Sequence, residues 1–225
     1  MRTFVIGDIH GAYKAFKQCL KKADFNYRKD KLICLGDVCD RGTEVNKVFD
    51  LLLKINNLVY ILGNHDYWAL EWAKTGKVSK EWKTLGALET LKAYPGGMPI
   101  EHINLLRDAS LYYLHKKRLF VHGGIKKNLP LKKQGYQTFL WDRSLVTKAM
   151  EQKLIGKEQN LTKYKEIFIG HTPTLNFNSK IPVHACEVWL MDTGAGWGEK
   201  LSIMNIKTKE IIQSKRVEKL YPGQY

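Results

Sequence analysis

Short apolar runs punctuate the first 65 residues: Phe4-Val5-Ile6, Leu32-Ile33-Cys34-Leu35 and Leu58-Val59-Tyr60-Ile61-Leu62. Each reads as a buried strand. Between them, residues 12–23 and 43–57 place apolar side chains at helical spacing, with Val45, Val48, Phe49, Leu52 and Leu53 marking the second. Strand, helix, strand, helix, strand predicts βαβ units and a parallel sheet. Ligands of such sheets gather beyond the strand C-termini.

Residues 66–115 change character. Trp68, Leu70, Trp72, Trp82, Leu85, Leu88, Leu91 and Tyr94 predict helices, broken at Thr75-Gly76 and at Pro95-Gly96-Gly97. This stretch reads as a helical insert within a single domain spanning 1–225. Its aromatics read as core, and the insert is placed to form one wall of a cleft. Strands return at 118–121, 166–169 and 188–191, and the tail (201–206, then 210–213) reads as a closing hairpin. There is no internal repeat and no low-complexity tract.

The strand ends carry the chemistry. Gly7-Asp8-Ile9-His10-Gly11, Gly36-Asp37-Val38-Cys39-Asp40-Arg41-Gly42, Gly63-Asn64-His65-Asp66, Val121-His122-Gly123-Gly124 and Gly170-His171-Thr172-Pro173 follow in order. One Gly-Asp run is ordinarily just a turn, and one histidine is ordinarily structural. Five such runs in sequence predict a two-metal hydrolase of phosphate esters. Asp8 and His10 stand two apart, so an extended backbone would turn both to one face. Asp8, His10 and Asp37 would then hold one ion, and Asp37, Asn64, His122 and His171 the other, with Asp37 bridging. Mixed oxygen and imidazole donors suit Mn, Fe, Zn or Co better than Ca. His65 is left free to donate a proton, with Asp40 to orient it. Arg41 and Arg143 offer phosphate clamps. His102, His115 and His184 lie outside the motifs and read as surface or core.

Composition adds three things. At 225 residues, 44% hydrophobic and 26% charged, the chain is that of a globular domain with a sizeable core, and no stretch approaches a membrane span. The first motif begins at residue 7, which leaves no room for a secretory signal and predicts a cytoplasmic protein. Cys19, Cys34, Cys39 and Cys186 have no zinc-type spacing and read as reduced thiols, Cys39 filling space between Asp37 and Asp40. A net charge of +15 favours anionic partners. It is spread over lysine pairs, without an aromatic-plus-basic module for nucleic acid. Size suggests a monomer.

As a set, these motifs resemble the calcineurin-like metallophosphoesterases, in the phosphoprotein phosphatase branch with its small bacterial and phage Ser/Thr phosphatases. The resemblance runs through Met191-Asp192-Thr193-Gly194-Ala195 and covers nearly the whole chain. It implies an α/β fold of two packed mixed β-sheets flanked by helices, a four-layer sandwich. It also implies a dinuclear site, most often Mn with Fe or Zn also fitting, and direct attack by metal-bound hydroxide. By position, Asp8, His10, Asp37, Asn64, His122 and His171 match the family's ligands. His65 with Asp40 matches its general-acid pair, and Arg41 and Arg143 its phosphate-binding arginines, the last on the short Trp141-Asp142-Arg143 context alone. Asp192 and its turn are expected to support the site.

Two positions depart from the common pattern. Cys39 stands where many members carry valine. Asp66 stands where Ser/Thr phosphatases usually carry glutamate, and aspartate there is more typical of symmetrical diadenosine-tetraphosphatases and some other bacterial relatives. The expected activity is therefore a metal-dependent phosphoprotein phosphatase acting on phosphoserine or phosphothreonine, with phosphotyrosine open. The alternative is a symmetrical diadenosine-tetraphosphate hydrolase or another phosphodiesterase.

Overall fold

The computed structural model describes residues 1–224. The first βαβαβ run forms as the apolar pattern predicts: β1 (Thr3–Ile6), α1 (Tyr13–Lys22), β2 (Lys31–Cys34), α2 (Val45–Leu52) and β3 (Asn57–Tyr60). Four insert helices follow: α3 (Asn64–Thr75), α4 (Lys80–Leu85), α5 (Ala87–Ala93) and α6 (Ile100–Arg107). The chain continues through β4 (Tyr112–His115), β5 (Arg118–Val121), α7 (Tyr136–Trp141), α8 (Ser144–Leu154) and β6 (Glu166–Ile169). It ends with β7 (Val183–Ala185), β8 (Val188–Leu190), β9 (Ser202–Asn205), β10 (Ile211–Gln213) and α9 (Val217–Leu220).

Two five-stranded sheets result, ordered β10-β9-β1-β2-β3 and β4-β5-β6-β8-β7. In the first, β1, β2 and β3 run parallel, and β9 and β10 add antiparallel. In the second, β5, β6 and β8 run parallel, with antiparallel edges β4 and β7. The interior strands β1, β2, β5 and β6 are buried on two faces, which is why they print as continuous apolar runs, while β3 closes the first sheet as a half-buried edge.

Strand alternation sorts the core. Val5 and Ile33 pack with Phe120, Phe168, Met191 and Met204, a cluster drawn from both sheets that holds them face to face. Phe120 and Phe168 stack there at 4.9 Å. The alternate residues Phe4, Ile6, Leu32 and Cys34 pack outward against α1, α2 and the insert. On the far side, Leu119, Val121, Ile167 and Ile169 meet Phe139 of α7 and Leu145, Val146 and Ala149 of α8. The result is the helix–sheet–sheet–helix sandwich implied by the resemblance.

Two boundaries differ from the sequence reading. The insert does not run helical to 115, because Tyr112–His115 is a strand paired antiparallel with β5. Lys116 and Lys117 turn between them at φ 48° and 62°, the left-handed pair that a tight hairpin needs. The strand hides in the sequence because it is a half-exposed edge without a clean apolar run. Second, β1 ends at Ile6, so Asp8 and His10 do not lie on extended backbone; His10 sits at φ 46°. Their shared direction comes from a turn, not from strand alternation.

Candidate functional site

Six strand ends converge. Asp8 follows β1, Asp37 follows β2, and Asn64 and His65 open α3 after β3. His122 follows β5, His171 follows β6 and Asp192 follows β8. All six segments contribute buried side chains. The turns are laced together: the amides of Ile9 and His10 donate to Asp37 O at 3.0 and 2.9 Å, and Gly11 N donates to Val38 O at 2.8 Å. The His65 amide donates to Asp37 Oδ1 at 2.9 Å, and the His171 amide to Asp8 Oδ2 at 2.9 Å.

Five site residues that are not glycine adopt positive φ: His10 (46°), Asp37 (50°), Asp40 (73°), Arg41 (64°) and His171 (59°). Backbone of this kind is costly and persists where surrounding structure enforces it. One enforcing contact is Gly63. A Cβ there would lie 2.1 Å from Asp37 Oδ1 and 2.3 Å from its amide nitrogen.

The imidazoles are aimed by carbonyls. His10 Nδ1 donates to Cys39 O at 2.7 Å and His122 Nδ1 to Leu35 O at 2.8 Å, which fixes both rings with Nε2 toward the site. His122 Nε2 lies 2.9 Å from Asn64 Oδ1 and 3.4 Å from Asp37 Oδ2. His171 Nε2 is buried with no hydrogen-bond partner. His10, Asp37 and His65 offer ligand atoms all within 4.8 Å of one another, as do Asp37, His122 and His171. Asp37 is common to both groups, whereas Asp8, expected beside His10 and Asp37, falls in neither, and His65 takes its place in the first.

Charge tells the same story. Burial, then Asp192 and Asp37, push the Asp8 carboxyl well above its usual range. Burial raises Asp192 to about 6, against the Gly194 amide that holds it down. Burial would raise Asp37 too, but His122, His65 and His10 draw it well below the carboxylate range. Burial drops His10 to about 3 and His171 to about 2, so both stay neutral and ready to ligate. Buried carboxylates that repel one another, beside neutral imidazoles with an orphaned nitrogen, fit divalent cations held by oxygen and nitrogen.

The remaining residues take distinct places. His65 Nδ1 donates to Asp40 Oδ2 at 2.6 Å, and Asp40 is fully buried. His65 also falls within the first cation group, so proximity alone allows it a ligand's place beside the expected proton donor's. Arg41 and Arg143 both line a cavity of about 340 Å³ with Asp8, His10, Asp37, Asn64, His65, His171 and Asp192. The Arg41 guanidinium lies 3.9 Å over the Trp197 ring, which is 57% exposed. Trp68 and Trp141, stacked edge-to-face at 5.9 Å, form another wall of this cavity. A larger apolar cavity of about 610 Å³ behind residues 125–129 is lined by no carboxylate or imidazole.

Sequence reasoning missed three things. Trp82 and Thr90 both bond to Asp40, and Trp197 supports Arg41. Nothing in the local sequence marks them, because each acts across the fold. Asp66, taken as a marker of substrate, does not line the cavity. It is fully buried and accepts from Val38 N (2.9 Å), Cys39 N (3.1 Å), Tyr60 Oη (2.9 Å) and Gly63 N (3.2 Å). As the third residue of α3 it caps that helix and ties it to the Asp37 loop. Cys39 is buried and its thiol is raised well above the usual value by burial, so it fills space as expected. Among the described residues no helix is long and apolar enough to cross a membrane.

Residues 1–197 match the calcineurin-like phosphoesterase family, and the chain belongs to it. It is a metallophosphoesterase. A symmetrical bis(5'-nucleosyl)-tetraphosphatase of Haemophilus ducreyi is 25% identical over 287 aligned positions, which take in 97% of this chain and 100% of that one. An asymmetrical bis(5'-nucleosyl)-tetraphosphatase, PrpE of Bacillus cereus, is 29% identical across 94% of this chain and 93% of its own. A solved chain with a provisional diadenosine tetraphosphatase assignment shares the fold at TM-score 0.67 and 18% identity, over 94% of this chain and 92% of that one. A cold-active protein-tyrosine phosphatase of a Shewanella species shares it at TM-score 0.63 and 16% identity, over 94% and 77%.

Proposed function

We propose that this phosphoesterase acts on nucleoside polyphosphates, a dinucleoside tetraphosphate being the substrate that its cleft fits best. The observation that carries the reading is the mouth of the cavity. There Arg41 lies flat on the exposed Trp197 ring, and the Trp68–Trp141 pair lines the same cavity. Flat apolar rings beside a guanidinium suit a base and a phosphate chain together. The names of the Haemophilus and Bacillus relatives support the same substrate class.

In this reading Asp8, His10 and Asp37 would hold one divalent ion, and Asp37, Asn64, His122 and His171 would hold a second, with Asp192 alongside. Manganese is the expected metal. When bound, such ions supply an activated water and polarise phosphoryl oxygens. The chain's own residues do the rest. Arg41 and Arg143 grip non-bridging oxygens of the reacting phosphate. His65, held through Nδ1 by Asp40, presents Nε2 to the departing oxygen and hands it a proton. One P–O bond forms from water and one breaks toward the leaving group.

A second reading, the phosphoprotein phosphatase expected from the resemblance, is favoured by the His65–Asp40 dyad itself. A serine alkoxide leaves as a far stronger base than a nucleoside diphosphate, so proton donation matters more for phosphoserine.

The experiment supplies Mn²⁺ to the purified protein and compares five substrates. These are diadenosine tetraphosphate, phosphoserine and phosphotyrosine peptides, p-nitrophenyl phosphate and bis-p-nitrophenyl phosphate. Chromatography then distinguishes two ADP from ATP plus AMP. The expected result is a kcat/KM on the dinucleotide on the order of 100-fold above either peptide, the scale of a few kcal/mol of stacking. A preference for phosphoserine peptide would install the second reading. Inactivity on all five with two metals bound would remove both.

A further inference from the structure

Three groups of the insert reach the chain just past β2. Trp82 Nε1 on α4 donates to Asp40 Oδ2 at 2.6 Å, the oxygen that also accepts from His65 Nδ1 at 2.6 Å. Thr90 on α5 brackets the same residue. Its Oγ1 accepts from the Asp40 amide at 2.8 Å and donates to Asp40 Oδ1 at 2.5 Å. Between the two helices, Gly86 O accepts from the Arg41 amide at 3.5 Å. The elbow sits so close that a Cβ on Gly86, at φ 123°, would touch Arg41 Cγ at 3.4 Å and Asp40 Cβ at 3.5 Å.

These are not incidental core contacts. Trp82 and Thr90 are almost wholly buried, and Trp82 is further held by Trp72 at 6.1 Å and by its amide on Ser79 Oγ at 3.1 Å. Asp40 and Arg41 have positive φ, a conformation that needs external support. Both oxygens of Asp40 are occupied by fixed donors, so the carboxylate cannot turn about its own axis. His65, tied to it, cannot turn either. This tether has a second consequence. His65 lies within 4.8 Å of potential ligand atoms on His10 and Asp37, and the hold on Nδ1 keeps the ring in one orientation beside them.

We infer that Trp82 and Thr90 are positioning residues for proton transfer: the α4–α5 elbow locks Asp40, and through it aims His65 Nε2 at the departing oxygen. The insert is then part of the chemical machinery as well as a wall of the cleft. The inference rests on the reading of His65 as proton donor; it concerns esters whose leaving group needs a proton, and its test does not depend on which phosphoester is the natural substrate.

The test is dependence on the leaving group. A misaimed proton donor harms esters of weakly acidic alcohols and spares those whose leaving group departs unaided. A general structural defect harms all alike. Thr90→Val, Thr90→Ser, Trp82→Phe and His65→Asn would each be loaded with Mn²⁺. Each would then be assayed on 2,4-dinitrophenyl, p-nitrophenyl and phenyl phosphate, with bound metal counted by mass spectrometry. Because proton donation is worth about 10²–10⁴-fold, partial misaiming should cost Thr90→Val and Trp82→Phe about 10- to 100-fold in kcat on phenyl phosphate. On the dinitrophenyl ester the loss should stay below about threefold, with KM and metal content unchanged. Thr90→Ser, which keeps the hydroxyl, should restore the wild-type slope. His65→Asn should show the steepest slope of all.

Equal losses on all three esters in the Thr90 and Trp82 variants, with a steep His65→Asn, would overturn the inference and leave His65 as the acid. Loss of metal in step with turnover in Thr90→Val would also overturn it, by making the elbow a scaffold for the cation site. A flat His65→Asn would bring down the proton-donor reading and the inference with it. Thr90→Val is nearly isosteric, so it keeps the test open if Trp82→Phe fails to fold.

Discussion

Asp8→Asn should make the metal-free protein more stable and the metal-loaded protein less responsive. Asp8 is 2% exposed, and its carboxylate accepts from the His171 amide while facing the charges of Asp192 and Asp37. Without cations its folded pKa lies well above the unfolded value, first through burial and then through those two neighbours. Below about pH 4 the group is protonated in both states and costs nothing. As pH rises, the unfolded chain releases its proton first, so the native state loses stability until the folded group also ionises. Asparagine keeps the shape and the acceptor but never ionises. In EDTA at pH 7.5 the variant should therefore melt above wild type, and at pH 4 the two should coincide. Cations reverse the order. At 100 times its Kd, one bound ion stabilises by about 2.7 kcal/mol. At about 2–4 °C per kcal/mol for a domain of this size, that is a rise of roughly 5–11 °C per ion. Wild type should show it with Mn²⁺, and Asp8→Asn should lose the share of at least one ion. Scanning calorimetry across pH 4–8, with EDTA or Mn²⁺, reads both effects. A variant that melts lower in EDTA yet keeps the full Mn²⁺ response would refute the view of Asp8 as a buried charge awaiting a cation.

Three further outcomes follow from single contacts. Gly63→Ala forces a Cβ to within 2.3 Å of the Asp37 amide and should displace the residue shared by both cation groups. Since a misplacement of about 1 Å can cost 10²-fold in rate, turnover should fall at least that far and bound metal should drop below two equivalents, against intact metal if Asp37 is not the bridge. Trp197→Ala should raise KM for diadenosine tetraphosphate by about 5- to 150-fold, the equivalent of 1–3 kcal/mol of stacking, while inhibition by inorganic phosphate changes little. Parallel loss of both would mean that Trp197 acts only by supporting Arg41. Glu166→Gln probes the far end of the second sheet. Burial there would raise the Glu166 carboxyl, but Lys209 and Arg118 pull it below its usual range, with Arg118 Nε at 2.5 Å. A depressed folded pKa gives stability that is present above about pH 4.3 and lost as acid protonates the folded group. Urea midpoints should therefore fall more steeply below pH 4 in wild type than in the variant, and equal slopes would mean the cluster contributes nothing.

The fold was legible where burial is two-sided. Val5, Ile33, Phe120 and Phe168 sit in central parallel strands, and such strands print as apolar runs whichever helix covers them. The site was legible for a related reason: each run ends in a glycine-flanked carboxylate, amide or imidazole, and the parallel strands of both sheets deliver those ends to one place. The face shared by Asp8 and His10 was anticipated on the wrong geometric ground. Alternation along a strand was assumed, whereas the chain leaves β1 at Ile6 and reaches His10 through left-handed backbone. β4 was lost because Tyr112, Tyr113 and Leu114 carry no clean alternation on a half-exposed edge. Trp82 was read as core, which it is, and Thr90 drew no reading although it is equally buried. Their second role depends on Asp40, 42 and 50 residues earlier in the chain, and no local pattern records a contact of that span.

That division bears on substrate. Cation chemistry needs only strand ends and tight turns, and its residues are fixed by the sheet. Discrimination falls to the surroundings: the insert that grips Asp40, and the Gly194-Ala195-Gly196-Trp197 turn that supports Arg41. The two features pull toward different bonds. A nucleoside diphosphate departs from a P–O–P bridge with little need of a proton, so the Arg41–Trp197 platform would serve a substrate for which the buried Asp40–Trp82–Thr90 lock is nearly idle. A serine ester needs the lock and has no base for the platform. Comparing His65→Asn with Trp197→Ala on the two substrates therefore decides between them. If His65→Asn halves turnover of the dinucleotide while Trp197→Ala cripples its binding, the platform is the specificity element and the lock serves other esters. If phosphoserine hydrolysis is the better activity and His65→Asn abolishes it with both metals retained, the bond broken in the natural substrate has a basic leaving group, and the phosphoprotein reading takes precedence.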